Sequence, residues 1–240
     1  QKGKLAGLDY RVEFYHQFGD AGGVAATCAC GVTGVTGNGD SVDRDAQMFG
    51  IRVGKTFKNA AFSPTVTLWY DNLSGHEDDD GTGGDFGAFD TMYDTGHKFY
   101  GFQDFYLARN GAATNFYGLQ DIAVKTKWKI KPGYTFKADF HAFMTSTELD
   151  SGDSDVMRDN DAEIPADNDL DDSLGQEIDL TLVHKYDSNT TISAGYSHYF
   201  TSDSFGKLNQ AGATTTRTAE NASTFNADSD WAYVMVDTKF

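Results

Sequence analysis

The sequence predicts an all-β protein: an antiparallel transmembrane β-barrel with at least eight strands in this chain. Three observations predict it. Apolar and polar residues alternate with period two in eight segments, and helical periodicity is almost absent. Each segment is about ten residues long, the length of a tilted strand that crosses a bilayer. Short and long connections alternate between the segments, as in barrels with tight periplasmic turns and long external loops.

The alternation gives each predicted strand one apolar face and one polar face. In the clearest segment, Asp121–Lys131, apolar side chains alternate with lysines. Leu8–Phe18 is the first segment, and Asp230–Phe240 ends the chain on an aromatic residue. The same pattern defines the remaining strands: Ala46–Phe57, Thr65–Leu73, Tyr134–Thr145, Glu177–Tyr186 and Thr190–Phe200.

The connections fall into two classes. Short turns follow the second, fourth and sixth segments, at Lys58–Ser63, Pro132-Gly133 and Asp187–Asn189. Long segments, 19–43, 74–119, 146–175 and 201–229, join the other ends. We expect one barrel domain over residues 1–240, or the C-terminal part of a larger barrel, in the bacterial outer membrane. The sequence begins at Gln1 with no Met, charged n-region or apolar h-region, so we expect either a processed mature chain or a fragment of a longer one.

Composition excludes several classes of protein. The formal net charge is −17, which argues against nucleic-acid binding because phosphate recognition needs a basic surface. Aromatic residues make up 14% of the chain, which argues against general disorder. The charge is unevenly distributed: residues 20–42, 74–117, 147–174 and 201–229 of the long connections carry −19, and the rest of the chain carries +2. The acidic character therefore belongs to the loops and not to the barrel.

The most distinctive local feature is the row of lysines in Asp121–Lys131. A basic residue that faces lipid at the bilayer midplane costs about 2–4 kcal/mol, so these side chains must face a lumen. They form either a cationic track for an anionic solute or a packed interior in which they pair with Glu13, Asp139, Glu177 and Asp179. The candidate lumen residues are Lys125, Lys127, Lys129, Arg52, Lys137, Arg11 and Lys185.

The acidic loops suggest a calcium site. Asp167, Asp169 and Asp171 place carboxylates at alternate positions, and Ca²⁺ prefers such oxygen ligands. Asp172 and Ile178 stand where an EF-hand has glycine and glutamate, so this loop does not match that motif. Solvated loops are the simpler interpretation, with possible Ca²⁺ in external loops as the alternative. No cofactor is required.

Nothing in the sequence indicates an enzyme. The six histidines show no His-x-x-x-His spacing, and no serine or cysteine nucleophile can be placed beside one. Cys28 and Cys30 are separated by one residue, so a bridge between them would be strained. Free thiols or a tight disulfide are more plausible there than a metal site.

His97–Gly101 and the Gly-Leu-Asp-Tyr sequence that begins at Gly7 are the most specific pieces of a resemblance that several segments share. These segments resemble alginate-export family outer-membrane porins, specifically their C-terminal half. The resemblance implies a wider barrel, with about twice this many strands, and a basic lumen for an anionic polysaccharide. Lys125, Lys127, Lys129, Arg52 and Lys137 would then line the path. The similar segments are Leu5–Asp20, Met92–Tyr106, Tyr117–Phe143, Glu177–Phe200 and Trp231–Phe240.

These features predict an outer-membrane porin for passive diffusion of anionic or sugar-like solutes. The alternative is a non-conducting barrel whose acidic loops bind divalent cations, envelope lipid or a partner protein. A soluble β-sandwich would instead bury the face that carries Ile122 and Ile130. The expected partners are outer-membrane lipid and lipopolysaccharide, the barrel-assembly machinery through Phe240, and an anionic polysaccharide or small anionic solute. No nucleic acid is expected.

Overall fold

The computed structural model describes residues 1–21, 42–75, 86–91, 99–106, 114, 117–148, 171–202, 204–205 and 228–239. These residues form one antiparallel sheet of nine strands, and the strands pair in chain order. Among the described residues no pairing joins the first strand to the last, so the sheet is open between them. The strands are β1 Lys2–Leu5, β2 Leu8–Ala21, β3 Val42–Thr56, β4 Thr65–Leu73, β5 Leu119–Lys131, β6 Tyr134–Met144, β7 Ser173–Lys185, β8 Thr190–Thr201 and β9 Ser229–Thr238.

All eight predicted segments are strands, so the all-β antiparallel prediction is confirmed. The structure adds β1, which pairs with β2 through a two-residue hairpin at Ala6 and Gly7. Both residues have positive φ, 49° and 80°, as tight hairpin turns of this kind require. No helix in the described part of the chain is long and apolar enough to cross a membrane.

The two ends of the sheet differ in their connections. At the turn end, tight connections include the Pro132-Gly133 hairpin and the Asp187 turn, where the carboxylate accepts the backbone N–H groups of Asn189 (2.8 Å) and Thr190 (2.7 Å). At the loop end, the strands are joined through residues 22–41, 74–118, 145–172 and 202–228. The alternation predicted from the sequence is therefore present.

The outer face of the sheet carries apolar side chains that remain exposed. On β5, Ile122 is 46% exposed and Ile130 is 42% exposed. Eight residue steps at about 3.3 Å each separate them by about 26 Å, close to the height of the apolar band of an outer-membrane barrel. Every described strand belongs to one sheet, so no second sheet covers this face as the sandwich alternative would require. An exposed apolar face of this extent is typical of a lipid-facing surface.

The inner face of the sheet carries the alternate side chains that lie on the same side as Arg52, Asp121 and His141. This face is polar, and loop residues partly cover it. Residues 86–91 and 99–106, both from the connection between β4 and β5, lie against it at the loop end. An aromatic and aliphatic core forms there. Its buried members are Met48, Leu73, Tyr100, Tyr106, Tyr117, Leu119, Phe143, Leu174 and Tyr199.

Candidate functional site

The cations predicted to line a lumen all lie on strands, at inner-face positions of the sheet. The pairing registers show this directly, since Arg11 is opposite Arg52 and Lys127 is opposite Lys137. Lys185 shares the parity of the buried Asp179 on β7. The structure thus brings Arg11, Arg52, Lys125, Lys127, Lys129, Lys137 and Lys185 to one face but spreads them from β2 to β7.

The lysine row is shorter than the sequence predicts. A register shift between Lys129 and Lys131 pairs Lys131 directly with Tyr134. The Lys131 ammonium then lies 4.0 Å from the centroid of the Tyr134 ring, which itself stacks on His184 of the outer face. The bulge therefore removes Lys131 from the row, and the continuous inner-face series on β5 ends at Lys129.

Three of the predicted cations are held by carboxylates: Arg11 binds Glu13, and Arg52 and Lys125 are held beside the Trp69 ring. Arg52 is 6% exposed, donates to Asp71 at 3.0 Å and also binds Glu13. Its guanidinium lies 3.9 Å from the centroid of the Trp69 ring, and the ammonium of Lys125 lies 4.8 Å from the same ring. Lys125 is also 3.8 Å from Asp139. These contacts have the character of a packed interior.

The turn end of the inner face is basic and uncompensated. Lys127, Lys129, Lys137 and Lys185 form no ion pair with any described residue. Lys127 and Lys137 are direct neighbours across β5 and β6, where like charges repel. Because the described part of the chain pairs no carboxylate with these ammonium groups, their field acts on whatever occupies the space in front of the sheet.

A cavity of about 590 Å³ extends this basic surface toward β1. Lys2, Lys4, Arg11 and Arg52 contribute cations to it, and the Trp69 ring forms part of its wall. Glu13 and Asp71 compensate Arg11 and Arg52, whereas the exposed pair of Lys4 with Asp9 at 2.6 Å is weak, so Lys2 and Lys4 are the less compensated cations of the cavity. The cavity can accept an anionic group beside an aromatic surface.

Sequence reasoning missed the acidic cluster at the loop end of the inner face. His141 is fully buried, with Nδ1 2.9 Å from Asp121 and Nε2 3.9 Å from Asp179. The Ser197 hydroxyl donates a hydrogen bond to Asp179, and Glu177 is buried next to this group. The alternation pattern could have indicated this cluster, because these side chains lie on the same face of four consecutive strands, β5 to β8.

Residues 99–106 are fixed across this acidic cluster. One oxygen of the Glu177 carboxylate accepts the backbone N–H groups of Phe102 (2.6 Å) and Gln103 (3.0 Å). Gly101 has φ +83° and no room for a side chain, because a Cβ there would overlap the Glu177 carboxylate. Gln103 also exchanges two hydrogen bonds with Ser229 at the start of β9.

Aromatic packing completes the attachment of this segment. Phe102 contacts the rings of Trp231 and Tyr233 edge-on, at centroid distances of 6.2 and 6.3 Å. Tyr106 is buried against Phe143 and shares a hydrogen bond with Tyr199. Burial and the neighbouring Tyr199 hydroxyl raise the pKa of Tyr106 well above its usual value, so its phenol stays neutral. The segment therefore narrows the space at the loop end.

The remaining predicted site residues have other surroundings. Asp171 accepts the backbone N–H of Ser173 at 3.0 Å at the start of β7. Asp167, Asp169, Cys28, Cys30 and Phe240 lie outside the described residues. Within the described ranges, no group of three or more His, Cys, Asp or Glu side chains is arranged to hold a metal ion.

Comparison with known proteins agrees with this architecture. The sequence model of the alginate export family matches residues 1–219, which include β1 to β8. Alginate export proteins are outer-membrane β-barrels, and the family transports polysaccharide and is not enzymatic. No curated protein matches the chain. The match spans well over half of the sequence, and the chain therefore belongs to the alginate export family.

Proposed function

We propose that this protein lets anionic polysaccharide or small anionic solutes diffuse passively along the inner face of its barrel in the outer membrane. The observation that supports this most directly is the set of lysines without carboxylate partners at the turn end. Lys127, Lys129 and Lys137 lie on adjacent strands, and Lys185 extends the set on β7. A surface lined by one sign of charge raises the local concentration of the opposite ion.

The held cations have a different part in this proposal. Arg52 and Lys125 flank the Trp69 ring at the edge of the basic cavity, and carboxylates fix their positions. Their charge is largely compensated, so they contribute less to the attraction of an anion than the exposed lysines do. Trp69 and the cavity offer a wall along which a ring-shaped sugar unit can pass.

The test is ion selectivity in planar bilayers. Under a salt gradient, the reversal potential reports the ratio of anion to cation permeability. The double variant Lys127→Glu/Lys129→Glu should lower that ratio at least about threefold at 0.1 M salt, where the screening length is about 10 Å. Unchanged selectivity in a conducting double variant would contradict the proposal.

A matched control carries the same charge change outside the inner face. Lys55→Glu/Lys131→Glu alters two lysines off the inner face, because Lys55 pairs with outer-face Val66 and Lys131 lies against the Tyr134 ring. This variant should keep the anion preference of the original chain, because these exposed charges do not face the path and are screened by solvent. An equal loss of preference in the control would mean that overall charge, and not the lysine row, sets the selectivity.

The packing of residues 99–106 onto the inner face favours a second function. A barrel obstructed at its loop end would not conduct, and its acidic loops would bind divalent cations, lipopolysaccharide and other outer-membrane lipid, or a partner protein. Calcium at Asp167, Asp169 and Asp171 belongs to this alternative. Absence of conductance in bilayers that contain the correctly folded chain would select it.

A further inference from the structure

The outer face changes character near the loop end of the sheet. Below this level its side chains are apolar, as at Phe49, Ile122 and Ile178. Two residues nearer the loop end on β3, β5 and β7, and opposite Phe49 on β4, side-chain amides take the outward positions. These are Gln47 on β3, Asn72 on β4, Gln120 on β5 and Gln176 on β7. The amides mark the upper limit of the apolar band, where a membrane protein meets lipid headgroups.

A pocket of about 310 Å³ opens at this level. Its walls include the rings of Phe14 and Phe49, which are paired across β2 and β3. Its rim carries the amides of Gln47 and Asn72 and the hydroxyls of Ser146 and Thr147. The volume is at the lower end of the range of about 300–1,000 Å³ for ligand pockets, so it suits one ring and not a chain of several.

The rim is held in place but keeps hydrogen-bonding capacity. The backbone N–H groups of Ser146 and Thr147 both donate to the carbonyl oxygen of Tyr117, at 2.9 and 3.0 Å. Asn72 donates from Nδ2 to the Ser146 hydroxyl at 3.0 Å, which leaves its own carbonyl oxygen available. The side-chain amide of Gln47 forms no hydrogen bond with any described residue.

The chemistry of the pocket selects a neutral sugar ring. Among the described residues no charged side chain lines it, and the nearby His16 and Asp45 are paired with each other at 2.7 Å. A phosphate or carboxylate would therefore find no cation among these lining residues. A pyranose ring has apolar C–H faces, which suit the aromatic wall, and hydroxyls at its edge, which suit the amide and hydroxyl rim.

We propose that this rim pocket binds a sugar ring in the headgroup of a membrane glycolipid. Phe14 is 63% exposed on the face that meets lipid, and the pocket lies where the apolar band ends. A ligand that enters from the bilayer can therefore keep its acyl chains on the apolar face while its sugar fills the pocket. The proposal depends on the outer face alone, so it does not require that the barrel conducts.

The test uses the full chain in nanodiscs that contain phosphatidylethanolamine and monoglucosyl diacylglycerol with the same acyl chains. Native mass spectrometry measures the ratio of the two lipids that stay bound to the protein. The original chain should enrich the glucosyl lipid, and Asn72→Ala should reduce the enrichment about fivefold, as expected for the loss of one hydrogen bond. Gln176→Ala is the matched control, because it removes an amide at the same level outside the pocket.

Phe14→Leu provides a second variant that keeps an apolar side chain but removes the ring. It should also reduce the enrichment, and it decides the question if Asn72→Ala does not fold. Equal enrichment in the original chain, Asn72→Ala and Phe14→Leu would overturn the proposal. So would complete displacement of the bound glucosyl lipid by free glucose, because the pocket would then be a site for soluble sugar.

Discussion

The charged residues at the two ends of the inner face have opposite surroundings. At the loop end, carboxylates are buried and engaged: Glu177 holds two backbone N–H groups, and Asp121 contacts His141. At the turn end, Lys127 and Lys137 face each other across two strands without a carboxylate between them. The carboxylates and the lysines lie on the same face of the sheet. Their different surroundings therefore arise from what covers each end.

The face on which a charged residue lies does not by itself assign that residue a role. Residues 86–91 and 99–106 exclude water from the loop end, where an unpaired charge would be costly. The buried polar groups there are engaged by neighbouring groups, as Glu177 is by the backbone N–H groups of Phe102 and Gln103, so their role is structural. The turn end has no such cover among the described residues, so its lysines can remain solvated and produce a field.

The largest effect should follow from breaking the best-compensated cation. Arg52→Ala leaves Asp71 and Glu13 without their buried partner and should lower the free energy of unfolding by about 3–5 kcal/mol. Denaturant unfolding in lipid vesicles, followed by tryptophan fluorescence, measures this change. The triple variant Arg52→Met/Glu13→Gln/Asp71→Asn removes all three charges and should recover most of the loss. Equal destabilisation by both variants would show that packing and not charge is responsible.

A smaller effect should follow from detaching residues 99–106. Glu177→Ala leaves the N–H groups of Phe102 and Gln103 without an acceptor and should cost about 1–3 kcal/mol. Single-channel conductance should rise as the segment leaves the inner face. Glu177→Gln keeps one acceptor oxygen and should cost less than half as much. If Glu177→Ala destabilises the protein without changing conductance, the segment does not limit the passage.

These contacts also show how far sequence reasoning extends. Period-two alternation located eight strands and assigned Lys127 to the inner face, because strand geometry fixes which side chains share a face. It could not detect β1, since four residues are too few to show a period. The attachment of Phe102 to Glu177 joins residues 75 positions apart, and nothing local in the sequence specifies that contact.

The alternation of apolar and polar residues also could not predict the partners of individual charged residues. The packed-interior alternative pairs Glu177 with a lysine, whereas in the structure its carboxylate accepts the backbone N–H groups of Phe102 and Gln103. Arg52 has a partner on each neighbouring strand, Glu13 on β2 and Asp71 on β4. Such choices depend on strand register and on loop packing, which the alternation of apolar and polar residues does not determine.

At the turn end, removal of a lysine should be nearly neutral for stability. Lys137→Gln relieves the repulsion with Lys127 and should raise the free energy of unfolding by up to about 0.5 kcal/mol. The same change should lower the anion preference measured from reversal potentials. Lys185→Gln is the control for stability, because Lys185 faces Thr191 and has no like charge opposite it. Marked destabilisation by Lys137→Gln would mean that the lysine has a structural partner and would weaken the contrast between the two ends.

The smallest effect concerns a carboxylate that binds two backbone N–H groups, as Glu177 does, but in an exposed turn. The hydrogen bonds from Asn189 and Thr190 lower the pKa of Asp187 below its usual value. A lowered carboxyl pKa in the folded state stabilises the fold above the usual pKa of 3.8, and this contribution is lost as the pH falls through the folded-state pKa. Asp187→Ala should therefore unfold at lower denaturant concentration than the original chain at pH 7, and the two curves should converge in acid. Asp237→Ala, an exposed carboxylate near the end of β9, should show no comparable convergence. A difference for Asp187→Ala that persists below its folded-state pKa would assign the effect to side-chain packing in the turn and not to the carboxylate.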